Sequence, residues 1–187
     1  SYKINAVAPW IKYVQENGFD TGVHGVEYDD IIKMKDEFNR FQVISGLNSF
    51  GIRMHYVRYN NTTFMKMDQI GYLFDTSEFS KSASDLKKPY KIGNMWEFPL
   101  YIMDSYILNQ GFETAKKQTI DLINKASKIG IEYFTFLFHD NLFNEKTYSM
   151  QKDYYIWFVK FIQDHHFKFI SYRDAIAGLE FDTKSNV

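Results

Sequence analysis

The stretch from Gly51 to Asp75, GIRMHYVRYNNTTFMKMDQIGYLFD, restricts the possible fold more than any other part of the chain. Apolar and polar side chains interleave after Ile52, which predicts an extended segment with two different faces. Thr63–Ile70 then has the pattern of a short helix, and Tyr72–Phe74 has that of a second strand. A strand, a helix and a strand in this order predict a parallel sheet whose polar groups lie at the strand ends.

Three cationic or titratable side chains, Arg53, His55 and Arg58, lie in the extended part of this stretch. Arg53 and His55 share one face of a strand, because alternate residues of a strand point to the same side. In a core the three side chains would repel one another. The pattern therefore predicts that an anion, a hydroxyl-rich ligand or a metal binds at the end of this strand.

Helices and strands continue to alternate along the 187 residues, as expected of a single domain over 1–187. Helices are predicted at 8–18, 31–44 and 111–128, and a further helix starts at 149 or 153 and runs to about 165. Strands are predicted at 19–24, 133–138 and 167–170, and a closing helical turn at 171–174. The polar stretch from Glu78 to Gly93 is typical of a loop, and loops of this length are often functional lids. Residues after Glu180 are expected to be frayed. The alternation predicts an α/β fold with a parallel sheet or barrel.

The composition excludes several classes of function. A net charge of −1 gives no electrostatic reason to expect nucleic acid or an acidic membrane surface as a partner, and no apolar run is long enough to cross a bilayer. Zero cysteines exclude disulfides, thiolate metal sites and a cysteine nucleophile. The compartment stays open, although the absence of cysteine and of a signal peptide favours the cytoplasm. Aromatic residues make up 19% of the chain, which suits a bulky core or, alternatively, platforms for sugar rings.

Three histidines follow apolar residues at positions where strands are predicted to end: His24, His55 and His139. The carboxyl ends of parallel strands meet at one rim, and such rims collect active sites. Histidine is a common zinc ligand and the usual general acid or base near neutral pH. A single histidine is more often a hydrogen-bonded structural residue, but three at matching positions favour a functional site.

Two acids also call for an explanation, Asp104 and Glu97. The segment around Asp104, YIMDSYIL, is otherwise apolar, and a buried carboxylate needs a partner or a raised pKa. Arg53 or Arg58 is the predicted partner. The chain has no Gly-x-Ser-x-Gly elbow, Gly-rich phosphate loop or dinucleotide fingerprint, so a serine esterase and a nucleotide-binding protein have no support.

Taken in order, four segments resemble the polysaccharide deacetylase superfamily, which is also called the NodB homology family or carbohydrate esterase family 4. The segments are FDTGVHG with His24, GIRMHYVRYNNTTFMKMDQIGYLFDTS with Arg53, WEFPLYIMD with Asp104, and YFTFLFHD with His139. The resemblance extends over nearly the whole chain. It is greatest to the divergent branch found in surface-polysaccharide gene clusters.

The resemblance implies a distorted, incomplete (β/α) barrel that removes acetyl groups from a sugar or polysaccharide. It implies a divalent metal, usually zinc, held by one Asp and two His. Water on that metal attacks the acetyl carbonyl, an Asp acts as base and a His as acid. The implied catalytic residues are His139, Asp104 and Arg53, the substrate-binding residues are His55, Arg58, Tyr56 and Glu97, and the metal ligands are His24 and His55.

Two features depart from the family pattern. The opening strand, which supplies adjacent aspartates in the family, has no counterpart, so the domain either lacks it or has it outside this chain. The second metal histidine, four residues after His24, is Tyr28 here. Three functions therefore stay open: a carbohydrate deacetylase, a glycan-binding member of the same fold without turnover, and an α/β scaffold whose histidines are structural.

Overall fold

The computed structural model describes residues 4–185. The helices are α1 (Ile4–Glu16), α2 (Ile31–Ser45), α3 (Thr63–Ile70), α4 (Asp104–Ile107), α5 (Phe112–Lys128), α6 (Glu145–Asp164) and α7 (Tyr172–Ser185). The strands are β1 (Val23–Gly25), β2 (Ile52–Met54), β3 (Phe74–Asp75), β4 (Tyr90–Ile92), β5 (Met95–Glu97), β6 (Leu100–Met103) and β7 (Thr135–Leu137). The described residues form two compact units, the first from 4–78, 89–98 and 171–185 and the second from 79–88 and 99–170.

The first unit contains a five-stranded sheet in the order β1-β2-β3-β5-β4. The pairs β1–β2, β2–β3 and β3–β5 are parallel, and β4 is antiparallel to β5. Parallel neighbours need a crossover, which α2 provides between β1 and β2 and α3 provides between β2 and β3. The predicted α/β fold with parallel strands is confirmed, and the distorted, incomplete (β/α) barrel stays a prediction.

Local signals correctly place α2 and α3 of the first unit. Asp30 caps α2, because its side chain accepts hydrogen bonds from backbone N–H groups of the first turn. The helix ends at Gly46, whose φ of 69° is the left-handed conformation that glycine adopts without strain. Helix α3 has the predicted bounds, Thr63–Ile70. Within residues 4–185, no helix combines the length and the apolar character that a bilayer span requires.

Aromatic rings form much of the core of the first unit. Phe38 of α2 lies 4.5 Å from Phe50 and 4.9 Å from Tyr72, measured between ring centroids. All three side chains are buried, together with Met34 and Met67. The apolar face of α2 therefore packs on the strands, and the high aromatic content of the chain contributes here to the core.

The second unit contains the parallel pair β6–β7 packed against α5 and α6. Ala115 of α5 and Phe158 of α6 are buried in its hydrophobic clusters. Between the two helices, the hydroxyl groups of Thr119 and Tyr154 lie 2.6 Å apart and satisfy one another. A buried hydroxyl without a partner would destabilise this helix pair, so the bond removes that cost.

Several predicted boundaries are wrong because tertiary pairing, which the local pattern does not show, ends or begins an element. Strand β2 stops at Met54, and His55–Val57 forms a turn of 3-10 helix instead of more strand. The predicted loop from Glu78 to Gly93 contains β4, which pairs with β5. Helix α6 begins at Glu145 rather than at 149, because the Asn144 side chain caps it by accepting from a backbone N–H.

The predicted strand Phe167–Ile170 is absent. Its side chains include an apolar run, but a strand also needs a neighbour for its backbone hydrogen bonds, and within the described residues these four pair with none. Phe169 is 61% exposed. The predicted closing turn is the start of the 14-residue helix α7, which continues past Glu180 to Ser185 where a frayed tail was expected.

Candidate functional site

In the first unit, the carboxyl ends of β1 and β2 bring His24 and His55 together. His24 lies opposite Arg53 in the strand register, and His55 follows β2 directly after Met54. His24 Nε2 and His55 Nδ1 are 2.9 Å apart, and the rings meet edge to face at 85°. Two nitrogens at this distance share one proton when one ring is a donor and the other an acceptor.

The backbone after His55 is strained. Tyr56 has φ 56° and Val57 has φ 48°, and neither is glycine. A left-handed conformation is rare for a β-branched residue such as valine and costs on the order of 1–3 kcal/mol. The turn leaves the Tyr56 ring 70% exposed, 4.0 Å from the His55 ring and 5.1 Å from the Arg58 guanidinium. Strain of this kind is typical of binding sites and switches.

Arg53 is half-buried next to this turn. Its Nε donates to the backbone oxygen and to Oγ1 of Thr76, both at 3.4 Å. Its Nη2 donates to Thr76 Oγ1 at 3.1 Å and to the Tyr172 hydroxyl at 3.3 Å. Tyr172 was not among the predicted site residues, because it lies far along the chain from Arg53, at the start of α7.

His24 and His55 are the predicted zinc ligands. Catalytic zinc requires three protein ligands, and His24 with His55 supplies two nitrogens. Among the described side chains, no group of three His, Cys, Asp or Glu residues is able to hold a metal ion. Tyr28 packs against the hydrophobic core. The described residues therefore supply two of the three protein ligands of a catalytic zinc centre.

A second polar group of the first unit is a buried pair of carboxyls, Asp75 and Glu97, which lie opposite each other in β3 and β5. Both are fully buried, and burial is the largest cause that raises the pKa of each carboxyl. Burial, followed by the charge of Asp75 and the hydrogen bond to it, raises the pKa of Glu97 well above its usual range. Glu97 Oε1 accepts from the backbone N–H of Glu78 at 3.0 Å. Oε2 accepts from no described donor, which suits the oxygen that carries the proton.

This carboxyl pair is connected to the end of β2 through Ser77. The Ser77 hydroxyl donates to Asp75 Oδ1 at 2.7 Å and accepts from the backbone N–H of Met54 at 2.8 Å. Met54 immediately precedes the strained turn at His55. The buried pair therefore supports the strained turn through Ser77 and the backbone of Met54. Glu97 was expected to bind substrate, but its side chain is buried away from solvent. Sequence reasoning missed Asp75, although it and Glu97 both end a short apolar strand.

In the second unit, the carboxylate of Asp104 binds His139. His139 Nδ1 lies 2.6 Å from Asp104 Oδ1, and the backbone N–H of His139 donates to Asp104 Oδ2 at 2.7 Å. Asp104 follows β6 and His139 follows β7, so the parallel pairing of these strands brings the two residues together. The predicted arginine partner of Asp104 is wrong, because the histidine takes that place.

The Asp104–His139 pair sets the orientation of the imidazole ring. The Asp104 side chain is 2% exposed and that of His139 is 40% exposed, so the carboxylate is inside and the ring reaches solvent. Burial, together with the nearby charge of Asp104, raises the pKa of Tyr154 to about 12. With Nδ1 bound to the carboxylate, Nε2 is the nitrogen left to exchange a proton with a ligand.

The structure thus divides the predicted site residues between the two units. His24, Arg53, His55, Tyr56, Arg58 and Glu97 belong to the first, and Asp104 and His139 belong to the second. Comparison of the chain with protein-family models, with curated proteins and with solved structures gives no match. The chemistry of these residues is therefore the basis for assigning a function.

Proposed function

We propose that this chain is a carbohydrate deacetylase-like hydrolase that removes acetyl groups from a sugar or polysaccharide. The observation that carries the proposal is the Asp104–His139 pair, a buried carboxylate bound to a partly exposed imidazole. This arrangement is typical of a histidine that transfers protons during hydrolysis. The finer fold implied is the distorted, incomplete (β/α) barrel of the deacetylase superfamily.

The proton chemistry follows from the hydrogen bonds of His139. Hydrolysis adds water across the acetyl carbonyl, and the sugar nitrogen or oxygen that leaves has to gain a proton. Asp104 accepts from Nδ1 and stabilises the imidazolium, so Nε2 is able to hold the proton that the leaving group takes. The second hydrogen bond, from the His139 backbone to Asp104, holds the carboxylate in the plane that this requires.

A divalent metal, zinc by its preference for imidazole, is part of the proposal as a cofactor. Its nitrogen donors would be His24 Nε2 and His55 Nδ1, which are 2.9 Å apart. Zinc in a hydrolase lowers the pKa of its bound water and polarises the carbonyl. Because the described residues supply two protein ligands and not three, the role of His139 is assigned independently of the metal.

The test is acetate release from acetylated oligosaccharides by the wild type and by His139→Ala. The variant is expected to lose about 10²–10⁴-fold in turnover, the usual contribution of a general acid, with its Tm within a few degrees of the wild type. His165→Ala is the matched control, because His165 lies at the end of α6 and is exposed. A wild-type chain that releases no acetate, or a His139→Ala variant as active as the wild type, contradicts the proposal.

A second candidate is a glycan-binding protein without turnover. The exposed ring of Tyr56 beside Arg58 and the incomplete ligand set favour it, because a flat aromatic ring and a guanidinium suit a sugar face. Saturable binding of an oligosaccharide, with no acetate release in the presence or absence of added zinc, distinguishes this candidate from the hydrolase.

A further inference from the structure

The four arginines of the chain differ in their partners. Arg40 and Arg173 each form an ion pair with an aspartate. Arg53 and Arg58 form none with any described carboxylate, and both belong to the short segment that ends β2 and forms the strained turn. The unpaired arginines are therefore concentrated at one place in the first unit.

The partners of Arg53 are all neutral. Nε and Nη2 donate to the Thr76 oxygens and to the Tyr172 hydroxyl. Among the described residues, Nη1 has no acceptor, so its two N–H donors remain for a ligand. The Tyr172 hydroxyl accepts from Arg53 and still has its own hydrogen to donate.

The partners of Arg53 are held firmly in place. The Tyr172 ring stacks on Phe74 with centroids 4.3 Å apart and an interplanar angle of 23°, and its edge faces Phe98 at 5.2 Å. Thr76 is 3% exposed. A guanidinium fixed by such neighbours loses little conformational freedom when a ligand binds, which favours affinity.

A half-buried cation without a counter-charge is unfavourable, because burial removes water and supplies no compensating anion. The nearest described groups of the same turn, His55 and Arg58, add no negative charge. An anion that reaches Nη1 would compensate the positive charge of Arg53. Arg53 contributes one positive charge and its direct partners none, which matches a singly charged carboxylate better than a doubly charged phosphate.

We propose that Arg53 and the Tyr172 hydroxyl bind the carboxylate of an acidic sugar, such as a uronic acid unit of a polysaccharide. The inference rests on the proposed function for the ligand being a carbohydrate, and it deepens that function by naming the class of substrate. Arg53 then selects the sugar that binds to the first unit.

The experiment is calorimetric titration of the full chain with methyl glucuronide, neutral methyl glucoside and inorganic phosphate. The glucuronide is expected to bind about tenfold or more tightly than the glucoside, because charge-assisted hydrogen bonds discriminate at this level. Arg53→Gln is expected to remove this preference. Arg40→Gln, which removes a paired and exposed arginine of the same unit, is expected to keep it.

Equal binding of the two sugars, or tight glucuronide binding by Arg53→Gln, overturns the inference. Preferential binding of phosphate overturns the assignment of a carboxylate. If melting curves show that Arg53→Gln does not fold, Tyr172→Phe serves in its place. Tyr172→Phe keeps the charge of Arg53 and loses the hydroxyl donor of Tyr172. A partial loss of affinity for the glucuronide therefore supports the site, and unchanged affinity contradicts it.

Acetate release, measured on the same preparations, separates the two proposals. Turnover of acetylated sugars without a preference for the glucuronide overturns the acidic-sugar site and leaves the hydrolase. Glucuronide binding that depends on Arg53, without release of acetate from any substrate, overturns the hydrolase and leaves the acidic-sugar site.

Discussion

Each of the two units buries an aspartate at the carboxyl end of a short parallel strand, but the partners of the two aspartates differ. Asp75 is 0% exposed and pairs with Glu97, which is also 0% exposed. Asp104 is 1% exposed and pairs with His139, whose side chain is 40% exposed. One pair is closed off from solvent and the other reaches it.

The difference shows how the partner decides what a buried carboxyl does. Two buried carboxyls repel when both are ionised, so burial and the charge of Asp75 raise the pKa of Glu97 and favour a proton on this pair, away from solvent. An imidazole becomes the cationic partner of a carboxylate and presents its other nitrogen outward. The first arrangement supports the carboxyl ends of two interior strands, and the second suits proton transfer.

The largest effect is expected from one substitution made in both pairs, Asp104→Asn and Asp75→Asn. Both oxygens of Asp104 accept from N–H donors, so the asparagine amide would face a donor. In Asp104→Asn the free energy of unfolding is expected to fall by about 1–3 kcal/mol, the usual cost of an unsatisfied buried group. Acetate release by this variant is expected to fall as well. In Asp75→Asn the amide oxygen is able to keep the backbone N–H of Ser77, and the amide N–H₂ is able to donate to the Ser77 hydroxyl, which accepts as well as donates. The loss is therefore expected to be below about 1 kcal/mol.

Urea denaturation of the two variants, followed by far-ultraviolet circular dichroism, measures this difference in stability. A larger loss in Asp75→Asn than in Asp104→Asn would show that the carboxyl pair does not hold a proton. Acetate release by Asp104→Asn at the wild-type rate would contradict the catalytic role of the Asp104–His139 pair, because the orientation of His139 would then be unimportant.

A smaller effect is expected from Glu97→Gln as the pH rises. Burial raises the pKa of both carboxyls, and the charge of Asp75 further raises that of Glu97. A raised pKa stabilises the fold below the ordinary value of 4.5, and this contribution is lost as pH rises through the folded pKa. Glutamine carries no proton to lose. Between pH 4.5 and the folded pKa of Glu97, the free energy of unfolding of the variant is therefore expected to rise relative to that of the wild type by up to about 1.4 kcal/mol per pH unit.

The control is Glu113→Gln, which removes an exposed carboxylate of α5 paired with Lys116. Its stability relative to the wild type is expected to stay nearly constant over the same pH range, as judged by urea midpoints from pH 5 upward. A parallel pH response of Glu97→Gln and the wild type would mean that Glu97 is already ionised in the folded protein at the start of the range.

Local sequence patterns determined the alternation of strands and helices over much of the chain and the positions of several candidate residues. Helix α3 has the predicted bounds because its start and its glycine stop are signals carried by neighbouring residues. The placement of His24, His55 and His139 at or just after strand ends follows in the same way from where apolar runs stop. Periodicity and capping act over a few residues, and a sequence displays them directly.

Only the tertiary structure decided which of these residues meet. His24 contacts His55 across 31 residues and Asp104 contacts His139 across 35, and strand register sets both contacts. The arginine predicted for Asp104 was wrong for this reason, and Asp75 and Tyr172 were missed. A pattern of residues shows which side chains are able to pair, but the pairing itself depends on free energies summed over the whole packed chain.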